Sequence, residues 1–136
     1  MDCLFCKIAK KELPSNILFE NENIIAFLDI KPISKGHTLV VPKKHSLNLK
    51  DLQLEQGTQI MQAILEFAPK LIKAVGADGY NVGINNGKAA GQIIMHTHFH
   101  IIPRWDNDGM SSWPNHDISS DELKTLQQKI VNFLKE

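Results

Sequence analysis

An excess of charge of either sign is missing from this chain. Fifteen Lys and Arg stand against fifteen Asp and Glu, giving a formal net charge of zero at pH 7 and a pI of about 7.0. So balanced a surface offers no footprint for a long polyanion, which argues against nucleic acid as a partner while leaving room for a small anion held locally. Long apolar runs are missing too: none approaches the roughly 18 residues that a bilayer span requires. The N-terminus shows neither a basic stretch nor an apolar core of the kind that marks an export signal, so a cytoplasmic protein with reduced thiols is expected. Cysteine is scarce, with Cys3 and Cys6 the only two. As a disulfide they would close a tiny loop, and as a redox pair they should follow a strand, which nothing before Cys3 resembles. Half of a zinc site fits better, and it asks for two further Cys or His ligands. Repeats, low-complexity segments and long linkers are absent, so 136 residues imply one domain, residues 1–136, large enough to bury a real core.

What the chain does have is histidine in an unusual place. In Met95-His96-Thr97-His98-Phe99-His100-Ile101-Ile102-Pro103-Arg104, every second residue from 96 to 100 is histidine. Side chains alternate along a strand, so His96, His98 and His100 would share one face while Thr97, Phe99 and Ile101 take the other. A row of imidazoles is costly to bury and unnecessary for packing. It could be a chance run on a half-exposed strand, a metal site using all three rings, or a nucleophilic histidine flanked by helpers.

The remaining pattern is mixed. Residues 3–11 suggest a helical turn carrying Phe5 and Ile8, stopped by Pro14. Two apolar runs at 17–20 and 24–28, with Asn21-Glu22-Asn23 between them, suggest a hairpin. Gly36 leads into a third strand over 37–42, halted by Pro42. From 51 to 76, Ile60, Met61, Ile64, Leu65, Leu71, Ile72 and Val75 recur at helical spacing, and Pro69 should kink or break that helix. A fourth strand is expected over 80–85, with a turn at Asn86-Gly87 and the histidine strand as the fifth. Ser120-Asp121-Glu122 should cap a C-terminal helix with Leu123, Leu126, Ile130 and Phe133 on one face. Strands joined by turns with helices set apart imply an α+β fold on a mainly antiparallel sheet of five strands.

The line His-x-His-x-His followed by two apolar residues resembles the signature of the histidine triad (HIT) superfamily, most closely its Hint-like branch. Phe5-Cys6-Lys7-Ile8, Ala26-Phe27-Leu28-Asp29-Ile30, Gly36-His37-Thr38-Leu39-Val40-Val41-Pro42-Lys43-Lys44-His45, Asn85-Asn86-Gly87 and Gly91-Gln92 fall in the family's order and spacing. The likeness covers roughly residues 3–104 and implies the HIT-like fold.

It also implies a hydrolase for purine nucleotides substituted on the 5′-phosphate. His98 matches the nucleophile, which forms a nucleotidyl-histidine that water then resolves. His100 matches the donor to the α-phosphate, and His37 a further histidine beside the triad. Asn85, Gly91 and Gln92 match the phosphate side. Asp29 matches the acceptor of the ribose hydroxyls, which suits a carboxylate. Phe5, Ile8, Leu13 and Ile30 match the walls of the purine pocket. Cys3, Cys6, His45 and His96 match a structural zinc site of the Cys2His2 type, closed and therefore not catalytic. A homodimer is implied as well.

One position departs from the pattern: Ile93 stands where many Hint-like members carry Ser or Thr, and this removes a donor for a poor leaving group such as an amine. The favoured reading is a nucleoside phosphoramidate hydrolase releasing AMP. A dinucleoside polyphosphate hydrolase, whose leaving group tolerates Ile93 better, is the rival within the class. A zinc-stabilised nucleotide-binding or interaction module with little turnover is the rival outside it.

Overall fold

The computed structural model describes residues 2–111 and 113–136. Its centre is one sheet of five strands: β1 (Ile17–Glu20), β2 (Ile24–Leu28), β3 (Thr38–Pro42), β4 (Gly79–Gly83) and β5 (Phe99–Arg104). They lie in the order β1-β2-β3-β5-β4, and each neighbouring pair is antiparallel. Three helices accompany the sheet: α1 (Leu4–Ala9), α2 (Leu54–Val75) and α3 (Ser120–Leu134). The α+β class, the five antiparallel strands, the long helix and the C-terminal helix all stand as the sequence implies.

Strand alternation sends alternate residues of β2 and β3 to two separate cores. Ile24, Ala26 and Val40 join Ile101 and pack against Ile60, Ala63, Ile64, Ala68 and Leu71 of α2. Ile25, Phe27, Leu39 and Val41 face the other way, onto Cys3, Phe5 and Ile8 of the N-terminal segment. Both faces of β2 and β3 are therefore dry, which is why these strands read as continuous apolar runs. The histidines lie on the α1 side, since His100 pairs across from Leu39 while Phe99 pairs with Val40.

Several local expectations change. The fifth strand begins only at Phe99, so His96 and His98 precede it in irregular chain. Thr97 explains this: its N–H donates to the carbonyl of Ser46 at 2.8 Å, tying the backbone to the loop beyond β3 instead of to a ladder. The three rings nevertheless stay on one side, with Phe5 5.1 Å from His98 and 6.0 Å from His96, and His98 5.0 Å from His100, between ring centroids.

Helix α2 runs uninterrupted through Pro69, so the expected break does not occur. Ala68 and Leu71 beside it are buried in the α2-side core, and that packing outweighs one lost backbone bond. The cap of α3 is Ser119 instead of Ser120, its Oγ accepting from the N–H of Glu122. β4 ends at Gly83, and Asn86-Gly87 opens a 3-10 turn at Lys88–Ala90 instead of closing a tight hairpin. Gly36 is required as glycine, because φ is +89° and a Cβ would lie 3.0 Å from Val75 and 3.3 Å from Pro103.

Helix α3 contributes nothing to either core. Leu123, Leu126, Ile130 and Phe133 form the expected stripe, yet all four are exposed, Phe133 to 74 %. No described helix is long and apolar enough to cross a membrane.

Candidate active site and metal cluster

Backbone groups determine the proton positions on the histidines. His98 Nδ1 lies 2.7 Å from the carbonyl oxygen of His96, which can only accept, so the proton is on Nδ1 and the lone pair is on Nε2. At the other end of the chain of rings, the N–H of Ile33 donates to His37 Nδ1 at 3.1 Å. His37 must then carry its proton on Nε2, which donates to His100 Nδ1 at 2.9 Å. His100 is left with a proton on Nε2, and that buried nitrogen has no partner among the described residues. One imidazole thus presents a lone pair while its neighbour presents an unsatisfied N–H. This combination suits a nucleophile beside a donor for an anionic oxygen.

The same burial holds His100 and His37 below the ordinary imidazole range. Desolvation, helped by the neighbouring His98 and His37, pulls His100 from the ordinary 6.5 down to about 4. Burial also lowers His37, against the opposing pull of Asp29, whose carboxylate lies 3.8 Å away. A lowered imidazole pKa means that the unfolded chain binds protons the native state refuses, so the stabilisation is complete above about 6.5 and fades as pH falls towards about 4. Urea midpoints should therefore fall between about pH 7.5 and pH 5, and His100→Gln should flatten that dependence. An equal slope in the variant would refute this source.

Near the N-terminus a second cluster forms. Cys3 Sγ lies 3.3 Å from His96 Nδ1, Cys6 Sγ 3.4 Å from His45 Nδ1 and 3.5 Å from His96 Nδ1, and the two Nδ1 atoms are 3.1 Å apart. The edges of a zinc tetrahedron with these donors are about 3.3–3.8 Å. His96 Nε2 donates to the Pro42 carbonyl at 2.8 Å, which turns its Nδ1 lone pair into the cluster, as a metal ligand needs. Donor set and geometry fit a divalent soft metal. His96 thereby serves two sites, one with its ring and one with its carbonyl.

The remaining expected site residues are distributed less evenly. Asp29 is half-buried at the end of β2, with Oδ1 accepting from the Lys31 N–H and Oδ2 towards His37. Phe5 and Ile8 are core residues, 4 % and 7 % exposed, and Phe5 offers the triad a ring edge. Leu13 packs on the margin of that core, and Ile30 stands in solvent at 85 % exposure.

Gln92 is buried, and its amide is fully engaged. Oε1 accepts from Asn48 Nδ2 and the Gly87 N–H, and Nε2 donates to the carbonyls of Leu47 and Ile94. A phosphate contact would require one of these bonds to break. Gly91 closes the 3-10 turn with φ +93°, its N–H already on the Lys88 carbonyl, and a Cβ there would meet Asn85 Nδ2 at 3.4 Å. Ile93 is 85 % exposed. Trp113, at 91 % exposure, covers no core.

Three contributors escaped the sequence. The Ile33 amide sets the ring tautomers, but every residue has an amide. The Ser46–Thr97 hydroxyl pair, 2.6 Å apart, and Asn48 on Gln92 join segments far apart in the chain.

Comparison with known proteins agrees with this geometry. The family model of the HIT domain matches residues 10–107. Adenosine 5'-monophosphoramidase hnt1 of Schizosaccharomyces pombe is 42 % identical over 137 residues, covering 99 % of this chain and 100 % of its own. Among solved structures, a Streptococcus mutans protein superposes with a TM-score of 0.90 at 38 % identity, over 98 % of this chain and 85 % of that one. A Zn-bound histidine triad family protein from Mycobacterium smegmatis gives 0.78 at 37 % identity, over 86 % and 85 %. With the family model spanning most of the chain and a relative matched end to end, this protein belongs to the HIT family.

Proposed function

We propose that the protein is a nucleotide hydrolase that cleaves a substituent from the 5′-phosphate of a purine nucleoside, releasing AMP from a phosphoramidate. The observation that carries this reading is the pairing of a His98 Nε2 lone pair with the unpartnered N–H of His100. The relative named adenosine 5'-monophosphoramidase supports the substrate class.

His98 Nε2 attacks the α-phosphorus, the bond to the leaving nitrogen breaks, and its electron pair departs with an amine that takes up a proton from water. The His100 N–H donates to a non-bridging phosphate oxygen as negative charge gathers there. Water then attacks the nucleotidyl-histidine, giving the nucleoside monophosphate and restoring the imidazole. Asp29 accepts from the ribose hydroxyls, Phe5, Ile8, Leu13 and Ile30 flank the base, and Asn85 meets the phosphate side. His37 is a positioning residue that orients His100, and Gln92 with Gly91 shapes the loop carrying Asn85.

Cys3, Cys6, His45 and His96 hold structural zinc in this reading, supported by the donor set and the Zn-bound relative. When bound, the metal supplies a cross-link between the N-terminus, the loop after β3 and the triad. Reduced thiols of this kind suit a cytoplasmic setting.

The bare stripe on α3 fits a homodimer in which a second copy covers it. Light scattering should then give twice the chain mass, and Leu126→Asp with Phe133→Asp should give monomers. A monomeric parent protein would remove this part of the reading.

Intact-mass spectrometry after mixing with an adenosine phosphoramidate, quenched at neutral to alkaline pH, tests the central step together with product analysis. A transient nucleotidyl adduct and released AMP are expected. If neither appears, and diadenosine polyphosphates also go uncleaved, the protein is a binding module instead.

A further inference from the structure

Among the described residues, two buried side-chain polar atoms have no hydrogen-bond partner: His100 Nε2 and Ser15 Oγ. Buried polar atoms are paired as a rule, so an orphan asks for a partner that arrives from outside the chain. In the hydrolase reading the first orphan has one, the phosphate oxygen. The second has none, and it lies towards the other end of the same face of the sheet.

The strand register places it. Phe27 pairs with Ile17 on β1 and with Leu39 on β3, Leu39 pairs with His100, and His100 with Gly83. One pair further along, the Leu28 N–H donates to the Asn16 carbonyl at 3.0 Å, so the β1–β2 pairing continues past Ile17. The next two residues level with each other are Ser15 and Asp29. On its other side Asp29 is level with His37, to whose carbonyl its N–H donates at 2.9 Å. Side chains alternate along strands, so Ser15, Asp29 and His37 form a second row on the face that carries Phe27 and His100. Neighbouring strands are about 4.8 Å apart, which sets Ser15 about that much further than Asp29 from the histidines.

This row orders a nucleotide. The phosphate stands at His98 and His100, the sugar at Asp29, and what lies beyond the sugar is the base. Leu13, two residues before Ser15, packs on the margin of the core beneath α1 and supplies apolar wall. Such a wall buries a ring without regard to its polar edge, whereas a hydroxyl can meet that edge. Resting on the hydrolase reading above, we propose that Ser15 is a base-recognition residue. Its hydroxyl donates to a ring nitrogen of a purine and favours it over a pyrimidine, whose single ring falls short. Ser15 is half-buried as a residue and has no bond to give up. One rotation about χ1 therefore turns the hydroxyl from the interior to the ligand at little cost.

The test compares the affinities of the parent protein and Ser15→Ala for AMP, UMP and ribose 5-phosphate by calorimetric titration, together with urea midpoints measured without ligand. Ser15→Ala should weaken AMP binding by about fivefold, the size of one ordinary hydrogen bond, and change the other two by less than about twofold. Without ligand the variant should be at least as stable as the parent, because it deletes an unpaired buried hydroxyl. An unchanged affinity for AMP would overturn the proposal. Equal losses on AMP and ribose 5-phosphate would put the contact on the sugar, and equal losses on AMP and UMP would end the selection for purines; either result overturns it as well. A lower urea midpoint, or a variant that does not fold, would make the hydroxyl a structural group instead. A parent protein that bound neither AMP nor ribose 5-phosphate would bring down the hydrolase reading itself, and this inference with it.

Discussion

His98→Ala is expected to lower turnover of an adenosine phosphoramidate by about 10⁴-fold or more, with the fold and the metal content unchanged. The size follows from what is lost. Removing the ring removes the lone pair that the His96 carbonyl, by holding the Nδ1 proton, leaves on Nε2, and no neighbour in the triad replaces it: His100 offers an N–H, and His37 is 2 % exposed and committed to Ile33 and His100. The variant should also show no nucleotidyl adduct by intact mass. His100→Ala should cost less, about 10²–10³-fold, since it removes one donor and not the nucleophile. His100→Gln should recover part of that loss, because an amide can still donate. A His98→Ala protein that kept most of its turnover would end the covalent reading, even if the enzyme remained a hydrolase by direct attack of water.

Loss of the metal is expected to be the second large effect, and it should reach both stability and catalysis. Purified protein should contain about one equivalent of zinc per chain, and less than about half an equivalent would count heavily against the site. Stripping by a strong chelator, or Cys6→Ser, should lower the thermal midpoint by about 10 °C or more, given a few kcal/mol of linkage and the size of the domain. The physical reason lies in the 3.1 Å approach of the two Nδ1 atoms of His45 and His96, which a bound cation between them would make favourable. Turnover should fall as well, because the residue that would ligate with its ring also holds His98 by its carbonyl at 2.7 Å. Restoring zinc should restore both properties in the stripped protein but not in Cys6→Ser. If midpoint and turnover both survive stripping, the cluster is not a structural metal centre.

Much of the molecule was legible in residue order alone. Periodicity separates α2 from the strands, because a helix buries every third or fourth residue and a strand every second. The doubly buried runs Ile24–Leu28 and Thr38–Pro42 read as strands for a different reason, as short continuous apolar stretches bounded by turn residues. Histidine at 96, 98 and 100, with the Cys3–Cys6 pair and the segment from Gly36 to His45, identified the family and the residues that gather around the site. Local pattern was less reliable where packing intervenes. Pro69 reads as a break, yet α2 continues because its buried face is held by the sheet. The triad reads as one strand, yet the ladder starts at Phe99 because Thr97 is tied to Ser46.

Residue order by itself determined most of the elements and the alternation of the rings, since these follow from side-chain type and spacing. His45 and His96 joined Cys3 and Cys6 as expected metal ligands only through the resemblance to the family. Only the tertiary structure decided which ring nitrogen carries each proton, because the Ile33 amide and the carbonyls of His96 and Pro42 reach the rings across the fold. It also decided that Gln92 braces a loop, that α3 leaves its apolar face bare, and that a glycine opposite His100 leaves room beside the triad. Contacts between segments far apart in the chain depend on how strands pair and helices dock, and no local pattern of residues encodes them.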